Sequence, residues 1–516
     1  MEKRIRRLGV FMILCFLALF IQLNNIQVLK ANSLANDPKN PRIQLLERSQ
    51  TRGSILSSDG TVLASSVLAP PGSIFKYQRV YPANTATLFA QIIGFDSSVY
   101  GNYRGVEAEY NSYLTPHTPV AKTLRDLLTN RTEVDNVTLT MNQNLQLQVA
   151  EALDQGTARG VNGAAAVVFN PTTGAIEAMY SNPSFDPNPL VSENTKTQNY
   201  AWNTYLAQAG QPLIPGTYGA IQAPGSSFKV VTTSAVLEHR PDLATTTYPV
   251  VGSVTLPNTG TPAQVLTNYH STPCGGTLEE IVIKSCDADF ATIGLKLGGQ
   301  ALLTQAEAYG FNQKIPLDVP ADTVAASTMT SPGTTTTPAE TPAQFVADIP
   351  GVMKSAIGQE NVSASALQMA MVAGTVANGG VEMTPHVMAY IDDNQGQRVL
   401  TYQPKQWMQP ISPQTAATLT TYMQGVVSNP AGTAYGVFPA SWDVAAKTGT
   451  AQTGSFGPNP PFTNDWLIAF APVGNTKVAI AVVLPNQPGS ATGATYSGPI
   501  VKQILGDVRA AAGLSQ

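Results

Sequence analysis

Three kinds of hydrophobic pattern alternate along the chain. The first is an apolar run over residues 8–23, extended by the weaker stretch Asn24-Asn25-Ile26-Gln27-Val28. A helix of about 20 residues crosses a bilayer, so the run is long enough when its weak end is counted. The second kind is strand-like text. Residues 42–66 alternate in short pieces around the turn Ser58-Asp59-Gly60, and Val137 to Met141 predicts a strand leading into a helix over 144–153. Residues 163–169 and 175–180, separated by Asn170-Pro171-Thr172-Thr173-Gly174, predict a β-hairpin. The third kind is helical: 120–128, 226–237, 277–297, 364–377, 415–427 and 500–512.

Strand text returns at 444–450, 466–470 and 478–484. Strands at both ends with helices between them predict an α+β domain, an antiparallel sheet packed by helices. A composition change near Thr138 divides the chain into a tail and apolar segment (1–28), a β-rich membrane-proximal region (29–137) and a large domain (138–516). Residues 320–342, rich in Thr, Ala, Ser and Pro, predict a long loop or a locally disordered insertion. Gly-Gly pairs at 275–276, 298–299 and 379–380 predict turns.

Composition narrows the function classes. The 516 residues are 43% hydrophobic and 12% charged, enough for two or more cores. Lys and Arg number 29 against 33 Asp and Glu, with no basic cluster beyond the first seven residues, which argues against nucleic acid as a partner. Lys3, Arg4, Arg6 and Arg7 precede the apolar run, so the tail should stay in the cytoplasm and the rest be exported. An uncleaved anchor is favoured over a signal peptide, since no good small-x-small pair closes the run. Outside that segment only Cys274 and Cys286 remain, either bridged or as two buried thiols. His117, His239, His270 and His386 are scattered without ligand spacing, so no metal site is expected. Glu279-Glu280 reads as a solvated helix face and Trp466 as core.

The candidate chemistry begins at Ala223-Pro224-Gly225-Ser226-Ser227-Phe228-Lys229. Pro-Gly signals a turn, and the apolar run behind it has no breaker until Pro241, so Ser226 and Lys229 should share one face of a helix's first turn. Unpaired N–H groups and the positive end of the macrodipole there favour an oxyanion and disfavour an ammonium, the setting of a serine nucleophile with a lysine base. A second copy, Pro71-Gly72-Ser73-Ile74-Phe75-Lys76, runs into strand-like Tyr77-Gln78-Arg79-Val80-Tyr81. Positions i and i+3 of a strand face opposite ways, so this copy reads as structural. Lys447-Thr448-Gly449 occurs once, in a predicted strand, and Ser285-Cys286-Asp287 stands between it and Ser226. Ser-x-x-Lys, a Ser-x-Asn-like triplet and Lys-Thr-Gly, in that order, form the set found in β-lactamases and penicillin-binding proteins.

On these motifs the sequence resembles the class B penicillin-binding proteins, monofunctional peptidoglycan D,D-transpeptidases, most closely their actinobacterial branch. Arg52-Gly53-Ser54-Ile55 with Asp59-Gly60, Tyr77-Gln78-Arg79 and Gly105-Val106-Glu107 resemble the family's membrane-proximal pedestal, or dimerisation, signature. Asn170-Pro171, Gly174-Ala175-Ile176 and Ser181-Asn182-Pro183 resemble the opening hairpin of the transpeptidase domain; Gly358-Gln359, Leu367 to Ala370 and Ala377 to Gly380 resemble a family helix pair. The resemblance implies a penicillin-binding/β-lactamase-like fold in which Ser226 takes an acyl group from a stem peptide, releasing D-Ala, and passes it to a neighbouring amine. It further implies Lys229 as base, Ser285 as proton relay, backbone N–H of Ser226 and Thr450 as oxyanion donors, and Lys447, Thr448, Gly449 and Thr450 as the substrate-carboxylate side. No cofactor is expected. Implied partners are peptidoglycan stem peptides, β-lactams as covalent inhibitors, a SEDS-type glycan polymerase and other division or elongation proteins.

One position departs from the family pattern: Asp287 stands where Asn is usual, with Phe290 anchoring the match. A carboxylate beside Lys229 favours its charged form, against what a base needs. Besides the transpeptidase, a D,D-carboxypeptidase or β-lactamase on the same scaffold and a weakly active penicillin-binding scaffold or sensor stay open. The anchor and pedestal disfavour a secreted β-lactamase, and the short tail before Leu8 leaves no room for signalling domains.

Overall fold

The structure is a computed structural model that describes residues 2–30, 48–117, 133–157, 163–331, 333, 337–453, 462–474, 478–489 and 492–513. The large domain is built on a five-stranded antiparallel sheet. Its strands lie in the order Ala445–Thr453, Phe462–Ala471, Val478–Pro488, Ala164–Phe169 and Ile176–Asn182. Alternation along these strands feeds two separate cores. Ala165, Val167, Phe169, Trp466, Ile468 and Phe470 face one, while Ala164, Ala166, Val168, Leu467, Ala469 and Ile480 face the other. A sheet covered on both faces has no polar side to show, hence the continuous apolar text of its central strands.

Helices Gln143–Thr157 and Ser497–Ala511 cover one face. Ala366–Ala377 packs on the other, with Lys229–His239 and Pro413–Ser428 behind it. The predicted hairpin forms over Ala164–Phe169 and Ile176–Asn182 in antiparallel register. Two expectations need correction. The single helix over 277–297 is two, Leu278–Lys284 and Asp287–Leu297, because Ser285 adopts a left-handed backbone (φ 60°, ψ 45°) that no apolar period announces. Gly275-Gly276 is part of the Cys274–Gly276 strand, paired with Tyr248–Val251, and not a turn. In the 320–342 stretch Val324, Ser327 and Met329 are buried and Thr328 bridges to Ser363, so of the two alternatives its described residues take the long loop. The helix expected at 120–128 and residues 42–47 of the first strand text lie outside the described residues.

A six-stranded sheet carries the N-terminal region, in the order Arg398–Thr401, Met388–Asp392, Asn136–Leu139, Ile55–Leu56, Val62–Leu68 and Tyr77–Val80. Its two strands from beyond residue 380 tie the pedestal to the large domain, and the 137/138 division falls inside the Asn136–Leu139 strand, which pairs with both Ile55–Leu56 and Met388–Asp392. The three signature pieces meet at Glu107. Arg52 Nε and Arg79 Nε each donate to its carboxylate at 2.7 Å, and the Tyr81 hydroxyl donates at 3.0 Å. Burial pushes the Glu107 carboxyl up, but Arg79 and Arg52 outweigh it and hold it below the ordinary value.

Removing one member of such a buried network strands the others. Glu107→Ala should cost about 3–5 kcal/mol of stability, measured from the shift of the denaturant midpoint. Because the folded carboxyl is depressed, its contribution is present above the unfolded pKa and lost as pH falls through the folded one, so the wild-type advantage should shrink in acid.

At the N-terminus, helix Glu2–Asn24 continues as a π-turn Asn25–Leu29. Lys3–Gln27 is long and apolar enough to cross a membrane, and none of its most apolar window is buried against the other described residues.

Candidate active site

The site gathers where the Ser226 segment meets the edge strand Ala445–Thr453. Residues Gly225–Phe228 form a 3₁₀ turn that hands over to the Lys229–His239 helix, so the nucleophile candidate opens a helix as the apolar pattern predicted. Two glycines allow the approach. Gly225 has φ +52°, and a Cβ there would lie 2.7 Å from the Thr450 carbonyl carbon. A Cβ on Gly449 would lie 2.5 Å from the Pro224 carbonyl oxygen. Trp466 Nε1 donates to the Ala223 carbonyl at 2.9 Å, pinning the segment to the sheet.

Ser226, Lys229, Ser285, Asp287 and Lys447 converge. Lys229 Nζ donates to Asp287 Oδ1 at 2.6 Å, to the Ser285 carbonyl at 2.9 Å and to Ser285 Oγ at 3.3 Å. The Ser226 hydroxyl donates to the same Asp287 Oδ1 at 3.2 Å. Lys447 Nζ donates to Ser285 Oγ at 2.9 Å, so that hydroxyl stands between two lysines. The left-handed turn at Ser285 makes this possible, since it breaks the helix and presents the residue's carbonyl and hydroxyl together to Lys229. Phe290 lies under the Lys229 ammonium, 5.1 Å from nitrogen to ring centre.

Burial dominates the electrostatics. Lys229 and Lys447 are both wholly buried, whereas Ser226 and Asp287 are partly exposed to the cleft. Burial pushes Lys229 down and Asp287, then Asp289, push it back, leaving it below its ordinary value. Burial, then the neighbouring Lys229 charge, push Lys447 well down against a weaker pull from Asp287. Asp289, one turn into the second helix, is buried and raised to about 6 by that burial, with Lys229 opposing.

The cleft holds about 940 Å³ and is lined by Ser226, Ser285, Asp287, Thr448 and Thr450 from the predicted set. Sequence reasoning missed several of its members. Thr433 shares a 2.7 Å hydrogen bond with the Thr448 hydroxyl. Asn268 accepts from the Ala288 N–H at 2.8 Å, which ties the cleft wall to the second helix. Both sit in loops without motif spacing, so no signal in the sequence marks them. Thr450 Oγ1 accepts from the Gly493 N–H at 3.3 Å. Cys274 and Cys286 are joined in a disulfide with Cα atoms 5.8 Å apart, stapling the cleft wall to the residue between Ser285 and Asp287. The other Ser-x-x-Lys copy is elsewhere: the Ser73 hydroxyl is engaged by the Phe75 backbone and Glu193, and Lys76 lies over the Tyr77 ring.

Comparison with known proteins places the chain in a family. Residues 164–506 match the penicillin-binding protein transpeptidase domain, and residues 52–137 match the penicillin-binding protein A dimerisation domain. The chain is 33% identical to the peptidoglycan D,D-transpeptidase PbpA of Mycobacterium tuberculosis, over 98% of each protein. It is 26% identical to the stage V sporulation protein D of Bacillus subtilis, over 83% of this chain and 63% of that one. Among solved structures, the ceftriaxone acyl-enzyme complex of M. tuberculosis penicillin-binding protein A superposes with TM-score 0.77 at 31% identity, covering 90% of this chain and 99% of that one. A D,D-transpeptidase domain from Eggerthella lenta gives 0.71 at 27% identity, covering 90% and 99%.

Proposed function

Since this chain belongs to the class B penicillin-binding proteins, in their actinobacterial branch, we propose that it crosslinks peptidoglycan stem peptides through an acyl-enzyme on Ser226, with Lys229 as base. The observation that carries this reading is the gathering of the three motifs on one cleft: Ser226 opens the helix that buries Lys229, and Ser285 Oγ accepts from both Lys229 and Lys447, at 3.3 and 2.9 Å.

The steps follow from the chemistry of acyl transfer. Lys229, kept below its ordinary pKa by burial, takes the Ser226 proton as Oγ attacks the carbonyl before the terminal D-Ala. The N–H groups of Ser226 and Thr450 receive the oxyanion, where one donor is typically worth about 3 kcal/mol of barrier. Ser285 accepts hydrogen bonds from both lysines, so its own proton can go to the departing nitrogen while Lys229 passes it the proton taken from Ser226. Lys447, Thr448 and Thr450 hold the substrate carboxylate, and Gly449 keeps the strand against the serine turn. A β-lactam follows the same path, but its leaving nitrogen stays tethered and the acyl-enzyme persists.

The finer setting belongs to the same proposal. Residues 1–28 anchor the chain with its N-terminus in the cytoplasm, residues 29–137 form the pedestal, residues 138–516 work outside, and an integral-membrane glycan polymerase of the SEDS type supplies the nascent strands. The basic cluster at Lys3 to Arg7, on one side of the apolar run only, supports that orientation.

Labelled penicillin followed by peptide mapping tests the site: the adduct should sit on the peptide containing Ser226. A stem-peptide analogue should then partition toward transfer when a D-amino acid acceptor is added. Hydrolysed product alone, with and without acceptor, would make the protein a D,D-carboxypeptidase.

A further inference from the structure

The Cys274–Cys286 disulfide has a neighbour that transpeptidation does not use. A carboxylate oxygen of Asp289 and the two sulfurs all lie within 4.8 Å of one another. Asp289 is 1% exposed, and its Oδ2 has no hydrogen-bond partner. The two sulfurs differ in access: Cys274 is partly exposed and lines the cleft, whereas Cys286 is wholly buried. Asn268 Nδ2, which donates to the Val251 and Thr272 carbonyls at 2.8 and 3.0 Å, lies 3.6 Å from Cys274 Sγ. A buried carboxyl oxygen without a partner costs free energy and calls for an explanation.

We infer that this group is a second reactive centre, a thiol–disulfide exchange site that takes a small thiol through the cleft, with Asp289 exchanging the proton of Cys286. The thiolate attacks Cys274 Sγ along the S–S axis. The Cys274–Cys286 bond breaks, a mixed disulfide forms on Cys274, and the departing Cys286 sulfur takes the proton of the Asp289 carboxyl. One negative charge enters as thiolate and one remains as carboxylate, so the step balances. In reverse, ionised Asp289 takes the Cys286 proton and the resulting thiolate expels the small thiol. Burial supports the assignment, since it raises Asp289 to about 6, where both forms are populated near neutrality. The exchange also speaks to the first site. Cys286 stands between Ser285 and Asp287, and an ionised Asp289 favours the charged form of Lys229, which is the form that cannot act as a base.

The test needs only thiol chemistry, so it stands or falls separately from the assignment of Ser226. Oxidised full-length protein in detergent is treated with 2-mercaptoethanol or glutathione, quenched in acid and mapped by peptide mass. The adduct should lie on Cys274 with Cys286 free. In Asp289→Asn the exchange at equal thiolate should be roughly tenfold slower or more, while in denaturant the two proteins should exchange alike. An adduct on Cys286 overturns the inference. So do equal rates in the native state for two proteins with the same thermal unfolding. Should Asp289→Asn fail to fold, the adduct position in the wild type decides alone.

Discussion

Ser226→Ala should form no covalent adduct with labelled penicillin, while unfolding at nearly the wild-type temperature. Ser226 is the nucleophile of the proposed acyl transfer, and removing a nucleophile of this kind typically costs on the order of 10⁶ in rate. Stability should change little, by less than about 1 kcal/mol, because the hydroxyl is partly exposed and makes a single 3.2 Å hydrogen bond to a carboxylate already held by Lys229. The combination separates chemistry from folding. An adduct on Ser226→Ala as strong as on the wild type would move the nucleophile elsewhere in the cleft. It would not revive Ser73, whose hydroxyl is tied to Phe75 and Glu193.

Much of this site was legible because its parts are local. Ser226 and Lys229 lie three residues apart on one turn, and Lys447 to Thr450 lie on one strand, so spacing and period expose them. The five-stranded sheet was legible too, since each strand carries its own apolar signal and the hairpin its turn. What the sequence hid is non-local or conformational. The helix expected over 277–297 breaks at Ser285 through a left-handed backbone that no propensity demands, and the contacts it makes there are with lysines distant in sequence, Lys229 and Lys447. Thr433 and Asn268 reach the cleft from loops and are visible only once the fold brings them there. The Met388–Asp392 and Arg398–Thr401 strands join the pedestal sheet from the far side of the large domain, and nothing short of the register discloses that. Asp287 was the reverse case. The sequence flagged it as a departure, and the structure gives it a position between nucleophile and base.

Lys229→Met, which keeps the volume but removes the amine, should slow acylation by about 10² to 10⁴, the range of a lost general base. The residual rate should depend little on pH. In the wild type the sign of the pH dependence follows from the base's own titration. Only the neutral amine accepts the serine proton, so acylation should rise with pH through the Lys229 pKa and level off beyond it. Burial brings that rise below the ordinary lysine value, and Asp287 opposes it. Asp287→Asn removes the opposing charge while keeping a hydrogen-bonding oxygen on Ser226 and Lys229. Its ascending limb should therefore move to lower pH, and acylation at neutral pH should be faster than in the wild type. An Asp287→Asn profile superimposable on the wild type would mean that the carboxylate positions the pair without setting its protonation. A slower variant whose limb does not move would mean that the 2.6 Å contact orients Lys229 for the attack and that the amide cannot replace it.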